Sequence, residues 1–471
     1  MLQILNILFL CVYTLSIAGV VLVIITENRN PLRTLPWILV LLLAPGVGLV
    51  VYFLFGQNLS KRRFISRRMR KRLASQLEES DPADRPALPP HHRPLSALLV
   101  DAAHAVPLYG SRITPYVDGP SKIEALLKAI ATAHHHIHLQ YYIFCDDHTG
   151  CRLRDALVAK AREGVEVRIL YDDVGCARVK RSFFEGMRAE GIEVRAFLHV
   201  KFPRFTSKVN YRNHRKIAVI DGHVGFVGGM NIADRYVDGV EWGCWRDTHF
   251  RLEGCGVAGL QSSFLNDWAA TTKHRVEGPG YYPTLGRYTE GILQVLPGGP
   301  FGKWRTLLQA DSYAISRASH RVWIETPYYL PSDLLDSALK SAALAGIDVR
   351  LMLPEHSDSR IVDLASHSYL DDLMRAGVKI ALYTPGFLHS KLLIIDDDLV
   401  VFGSANMDFR SFEHNFEVNV FAYDREFTAR MAAIYEKDLH SCRRLTPAEW
   451  FNRPHGKRLA ESCMRIFSPL L

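Results

Sequence analysis

The stretches NHRKIAVIDGHVGFVGGMN (213–231) and LHSKLLIIDDDLVVFGSAN (388–406) are one pattern written twice. His214 corresponds to His389, Lys216 to Lys391, Asp221 to Asp396, Gly228 to Gly403, Gly229 to Ser404 and Asn231 to Asn406, each pair 175 positions apart. Side chains alternate along an extended chain, so the His and Lys of each HxK lie on one face. The apolar runs that follow, IAVI and LLII, predict strands built into a core. Asp221 and Asp396 then fall at turns, where an aspartate bonds nearby backbone. The next strand ends on small residues, Gly228-Gly229-Met230-Asn231 and Gly403-Ser404-Ala405-Asn406. There, backbone N–H groups and an asparagine amide can approach an anion closely.

The repetition extends outward. GVEVRILYDD (164–173) mirrors GIDVRLMLPE (346–355), GIEVRAF (191–197) mirrors GVKIALY (377–383), and HIHLQYYIF (136–144) mirrors RVWIETPYYL (321–330). Helical stretches, RLRDALVAKAREG and DLLDSALKSAALAG, precede the first of these mirrored strands. Each half therefore reads strand, helix, strand, helix, strand, then the histidine hairpin. This predicts an α/β fold of two repeats, each a mixed β-sheet flanked by helices, related by a pseudo-twofold axis. One half supplies one imidazole, one ammonium and one amide. Two facing halves make a phosphate-sized basket with a nucleophile on one side and an acid/base on the other, which is what displacement at a phosphodiester needs.

Before this body the chain is of another kind. Residues 2–25 carry no charge, enough to cross a hydrocarbon core of about 30 Å. Leu35 to Phe55 is equally uncharged, with only TENRNPLRT between the two runs, so a two-helix transmembrane hairpin is expected. KRRFISRRMRKR (61–72) follows, against only Arg29 and Arg33 in the connecting loop, and places both termini in the cytoplasm. The same run attracts anionic headgroups. SDPADRPALPPHHRP (80–94) reads as a spacer. The expected division is 1–58 hairpin, 59–108 basic and proline-rich linker, 109–280 first repeat, and 281–471 second repeat with a tail.

Lys and Arg exceed Asp and Glu by 57 to 49, a net charge of +8 that favours anionic partners without choosing among them. The eight cysteines form no CxxC pair and are expected as reduced thiols. AHHHIH (133–138) mirrors SHRVWI and predicts a helix end running into a strand rather than a metal site. FLNDWAA and GCWRDTH read as packing, and KFPRFTSKVNYR (201–212) as an insertion absent from the second half. In the tail, Trp450, Phe451, Leu459, Met464, Ile466 and Phe467 alternate with Arg453, Lys457, Arg458 and Arg465. That segment either closes the second core or lies at the level of lipid headgroups.

RNHRKIAVIDG, GGMNIADRY, ETPYYLP, GFLHSKLLIID and GSANMDFRSF with NFE resemble the double HKD signature of the phospholipase D superfamily, in its bacterial cardiolipin synthase branch. The likeness extends to the RNPLRTLPWILVLLLAPGVG hairpin and the terminal SPLL. It implies two phospholipase-D-like repeats and transfer between two phosphatidylglycerols through a phosphohistidine, yielding cardiolipin and glycerol. By the superfamily pattern, His214 is the nucleophile and His389 the acid and base. Lys216, Lys391, Asn231 and Asn406, with Gly229 and Ser404, hold phosphoryl oxygens. Asp221 and Asp396 complete the motifs but hold structure rather than touch substrate. Glu417, 28 residues after His389, resembles the carboxylate that orients a motif histidine, and Asp247 is the choice for the first half. No metal or cofactor is required. The implied location is the bacterial inner membrane, multi-pass, with the catalytic body cytoplasmic and anionic lipid as partner. The choice of acceptor is not readable from spacing, so phosphatidylserine synthase and phospholipase D hydrolase stay open. A nuclease is disfavoured by the anchor, leaving nucleic acid out, and an inert scaffold by the completeness of both motifs.

Overall fold

A computed structural model describes residues 2–26, 31–52, 88–199, 210–284, 288, 291–301 and 304–470. The basic run 61–72, most of the spacer and most of the insertion 201–212 lie outside them. The N-terminal helices form one body and the two repeats another.

The first repeat is a seven-stranded mixed sheet in the order 111–116, 249–254, 224–228, 217–220, 136–141, 166–172, 193–197. The last three strands run parallel, as strand–helix–strand units require, and the others are antiparallel. The second repeat contains the same order: 292–298, 417–423, 399–403, 392–395, 321–325, 348–354, 379–383. Two short strands, 108–109 and 442–444, extend its edges.

The motif strands are apolar at every position because both of their faces are covered. Ile217 and Val219 join the core shared by the two sheets, while Ala218 and Ile220 face the first repeat's own helices. Leu392 and Ile394 repeat the first arrangement, and Leu393 and Ile395 the second. In the shared core the rings of Phe250 and Phe402, one from each repeat, lie 3.9 Å apart between centroids.

Asp221 and Asp396 hold these sheets at the ends of the motif strands remote from the histidines. Their φ angles are +52° and +48°, a left-handed conformation that an aspartate tolerates when its side chain bonds locally. The Asp221 carboxylate accepts from the backbone N–H of His134, His135 and His136 at 2.7–2.8 Å. That of Asp396 accepts from Ser319, His320 and Arg321 at 2.7–3.1 Å. Each thus pins the start of the neighbouring strand to the hairpin turn. Asp221→Ala or Asp396→Ala should cost about 1–3 kcal/mol of stability, measured by thermal denaturation, because three donors lose their acceptor at once.

Three expectations are corrected. Residues 93–103, placed within the linker, form the helix Arg93–Ala103, which buries Leu95 and Leu99 in the second repeat's core. Beside it Leu108–Tyr109 pairs with Ile292 and Leu293, so the body begins well before residue 109. The second apolar run is not one helix from Leu35. It starts at Pro31, ends at Leu43 and resumes as Pro45–Val51, since proline at position 45 holds Ala44 out of helical geometry (φ −136°, ψ 66°). Ile24, Leu41 and Tyr52 are buried between these helices. Among the described residues Gln3–Thr26 is the one helix long and apolar enough to cross a membrane.

The tail helix His455–Arg465 packs on the helix Arg360–Arg375. Arg453 donates to Asp371 (2.9 Å) and Glu461 (2.8 Å), and Trp450 is buried in the second core. Arg458 and Arg465 approach Asp371 and Asp372, while Leu459 and Ile466 stay exposed. Arg453 is thus buried in packing, whereas the side chains of Arg458 and Arg465 are each 41% exposed.

Candidate active site

The two motifs meet where the repeats exchange backbone. Gly386–Leu388 pairs in parallel with Cys244–Arg246, and the His389 N–H donates to the Arg246 carbonyl (2.6 Å). On the other side Asn213 bridges Phe416, and the His214 N–H donates to the Phe416 carbonyl (2.9 Å). Each histidine therefore lies beside the residue that follows its partner strand, Asp247 or Glu417. The carboxylates cross between repeats. His214 Nδ1 lies 2.9 Å and 3.1 Å from the two Glu417 oxygens, and His389 Nδ1 lies 2.6 Å from Asp247 Oδ2. A ring N–H directed at a carboxylate fixes the tautomer and leaves Nε2 its lone pair.

Lysine accompanies each pair. Lys216 Nζ donates to the His214 carbonyl (2.6 Å), and Lys391 Nζ to the His389 carbonyl. Lys391 also stands 2.9 Å from His389 Nδ1, but that nitrogen's single hydrogen goes to the closer Asp247. The contact is one of charge. Burial, with the opposing charge of Glu417 only partly offsetting it, lowers Lys216 to about 7. Burial lowers Lys391 to about 8. Burial, then the Lys391 ammonium, brings His389 down to about 3, and burial also lowers His214. Burial pushes Glu417 and Asp247 the other way. His214 and its neighbours overcome it for Glu417, and Lys391 and His389 for Asp247, so both stay below the ordinary range. The site thus favours neutral imidazoles, ionised carboxylates and two ammoniums that readily give up protons. It is tuned for an anion.

Gly229 and Ser404 occupy matching positions, and each lies against one of the two carboxylates. Ser404 Oγ donates to Glu417 Oε2 (2.5 Å), whereas a Cβ on Gly229 would lie 2.1 Å from Asp247 Oδ1. The longer carboxylate gets a hydroxyl and the shorter one gets space. Asn231 accepts from the Ile143 N–H (3.1 Å) and donates to the Tyr236 hydroxyl (2.5 Å). Asn406 donates to Asp408 (3.1 Å), and its Oδ1 is buried without a partner. In both amides the NH₂ has a second hydrogen to offer.

Some residues of the site carried no sequence signal. Arg215 donates to the Glu417 carbonyl (2.9 Å), the Gly298 carbonyl (2.8 Å) and Asp267, the aspartate of FLNDWAA. Arg246, from GCWRDTH, is clamped by Asp438 and bonds the Asp247 carbonyl (2.9 Å). Both stretches do more than pack, since each guanidinium stiffens the backbone under one carboxylate. Tyr142 meets the His214 ring edge-on at 5.0 Å, and Trp245 and Phe387 flank His389 at 5.2 and 5.4 Å. Of the four histidines in AHHHIH, His136 and His138 are buried on their strand and bonded to Gln261, while His134 and His135 are exposed. All eight cysteines are free.

The family described as "Cardiolipin synthase, PLD-like domain" matches residues 126–241 and 313–439, and "Phospholipase_D-nuclease N-terminal" matches 14–57. The chain is 41% identical over 466 residues to cardiolipin synthase 2 of Bacillus anthracis, covering 98% of this chain and 91% of that one. It is 36% identical over 480 residues to the major cardiolipin synthase ClsA of Bacillus subtilis, covering 99% of both. The crystal structure of phosphatidylserine synthase from Haemophilus influenzae shares the fold, with a TM-score of 0.63 at 13% identity over 80% of this chain and 99% of that one.

Proposed function

We propose, from the premise that the chain belongs to the cardiolipin synthase family of phospholipase-D-like enzymes, that it joins two phosphatidylglycerols into cardiolipin and releases glycerol. It is a phosphatidyltransferase. The supporting observation is that both imidazoles are complete, each with a carboxylate and a lysine, in a chain that also carries an uncharged helix long and apolar enough to cross a membrane.

His214 Nε2 attacks phosphorus, and the bond to glycerol oxygen breaks as His389 delivers a proton to it. The glycerol hydroxyl of a second phosphatidylglycerol then gives its proton to His389 and attacks the phosphatidyl-His214, breaking the P–N bond. Lys216, Lys391 and the amides of Asn231 and Asn406 stabilise the phosphoryl oxygens throughout. By itself the site keeps His389 far from protonated. Burial and then the Lys391 charge hold it down, and the negative charge of a bound phosphodiester opposes both by favouring the imidazolium. Two apolar passes and a cytoplasmic body, oriented by the basic run 61–72, bring this site to anionic lipid.

Purified protein in phosphatidylglycerol vesicles should yield cardiolipin and glycerol in equal amounts. Phosphatidic acid as the main product, or transfer only when serine is added, would overturn the reading. Activity in excess EDTA should stay within about twofold, since the groups assigned to the transition state are all side chains of this protein. The kcat/KM should fall as pH rises through about 7 to 8, where Lys216 and Lys391 lose their protons in the free enzyme. Gly229→Ala should lose on the order of 10²-fold in kcat by displacing Asp247 from His389, and Gly229→Ser should do no better despite its likeness to Ser404.

A further inference from the structure

Away from the active site, three potential metal ligands converge at the point where the chain enters the body. His91 Nε2 lies 2.9 Å from Asp398 Oδ2, and His92 Nε2 lies 3.0 Å from Asp398 Oδ1. All three ligand atoms fall within 4.8 Å of one another. We propose that His91, His92 and Asp398 bind one divalent transition-metal ion of the zinc class. The ion would fasten the segment after the spacer to the hairpin of the second motif.

The donor set selects the ion. Two imidazole nitrogens and one carboxylate suit Zn²⁺, Co²⁺ or Ni²⁺, whereas Ca²⁺ and Mg²⁺ want oxygen throughout. Bonds of about 2.1 Å in a tetrahedron put neighbouring ligand atoms about 3.4 Å apart. The two short N–O distances run to different oxygens of Asp398, so the carboxylate either chelates the ion or turns to present one oxygen. The ligand atoms, all within 4.8 Å of one another, then shift by about an ångström or less. Three protein ligands leave a position for water, and the His91 side chain is 54% exposed, so the ion has a way in.

The ligands are also held in place before any ion arrives. Pro89 and Pro90 fix the backbone of the single turn Pro90–His92. His92 is 7% exposed, with its ring over Tyr423 at 5.1 Å, and Tyr423 in turn donates to Gln294 (2.7 Å). Asp398 sits in the turn between Leu392–Ile395 and Leu399–Gly403, where its carbonyl accepts from the Asp424 N–H (3.0 Å). Little freedom is left to lose on binding. The turn is the same one in which Asp396 anchors the second motif strand. An ion here ties together segments more than 300 residues apart, and contributes to stability without entering the chemistry.

The test is Co²⁺ and Zn²⁺ titration of the full chain after chelator treatment. The expected result is one equivalent bound, Co²⁺ visible bands without thiolate charge transfer, and a thermal midpoint raised by Zn²⁺. His91→Ala, at an exposed side chain, should leave the metal-free midpoint unchanged and weaken binding at least tenfold, and His92→Ala should weaken it as much. Four outcomes would overturn the site: no binding, binding with thiolate bands, a midpoint that Zn²⁺ does not move, or undiminished affinity in His91→Ala. In those cases the cluster is a pair of hydrogen bonds and nothing more.

Discussion

His214→Ala and His389→Ala should each lower cardiolipin formation by about 10⁴-fold or more, and the double variant should be scarcely worse than either. The two imidazoles serve one cycle, so removing the second from an already stalled enzyme removes little. Modest losses that multiply would sink the two-histidine mechanism. A phosphatidyl ester of p-nitrophenol separates their roles, because that leaving group needs no proton. With it, His389→Ala should give one burst of nitrophenolate per enzyme and then stop, leaving phosphatidyl-His214 behind. His214→Ala should give none. A burst in His214→Ala instead would exchange the assignments.

The second large effect is expected at the carboxylates. Glu417→Gln and Asp247→Asn should each cost about 10²–10⁴-fold in kcat with little change in KM. An amide can turn its N–H toward Nδ1, which moves the ring hydrogen to Nε2 and removes the lone pair that must attack or accept a proton. Because the pairs cross, Glu417→Gln should suppress the p-nitrophenol burst, as His214→Ala does. Asp247→Asn should preserve it, as His389→Ala does. If the patterns come out the other way round, each carboxylate serves the histidine of its own repeat and the crossing is wrong. Thermal midpoints near that of the parent chain would show that the loss is chemical.

The sheets were legible because both faces of the motif strands are buried. IAVI and LLII could be read as core strands, and the equal spacing of His, Lys, Asp and Asn declared the duplication. Asp221 and Asp396 could be foreseen as turn residues from their place after an apolar run, though not as anchors for a neighbouring strand. The crossing of Glu417 and Asp247 was not legible. Spacing along the chain cannot say which repeat a side chain will meet. Nor could an alignment show that Gly229 and Ser404, one position in two copies, answer to carboxylates of different length. Arg215 and Asp267 are 52 residues apart, a pairing that only the fold creates. The helix Arg93–Ala103 is hard to see in the sequence because it begins inside the proline-rich stretch, with Pro94 in its first turn.

Each imidazole draws its carboxylate from the opposite repeat, so neither half of the chain is an enzyme by itself. A change that turns one sheet against the other detunes both histidines together. The seam around Leu388, Arg246, Asn213 and Phe416 should therefore tolerate less drift than the interior of either sheet. A single-repeat ancestor with the same exchange would have worked only as a symmetric pair of molecules. The fused chain would then carry, sealed inside one polypeptide, what was once a contact between two.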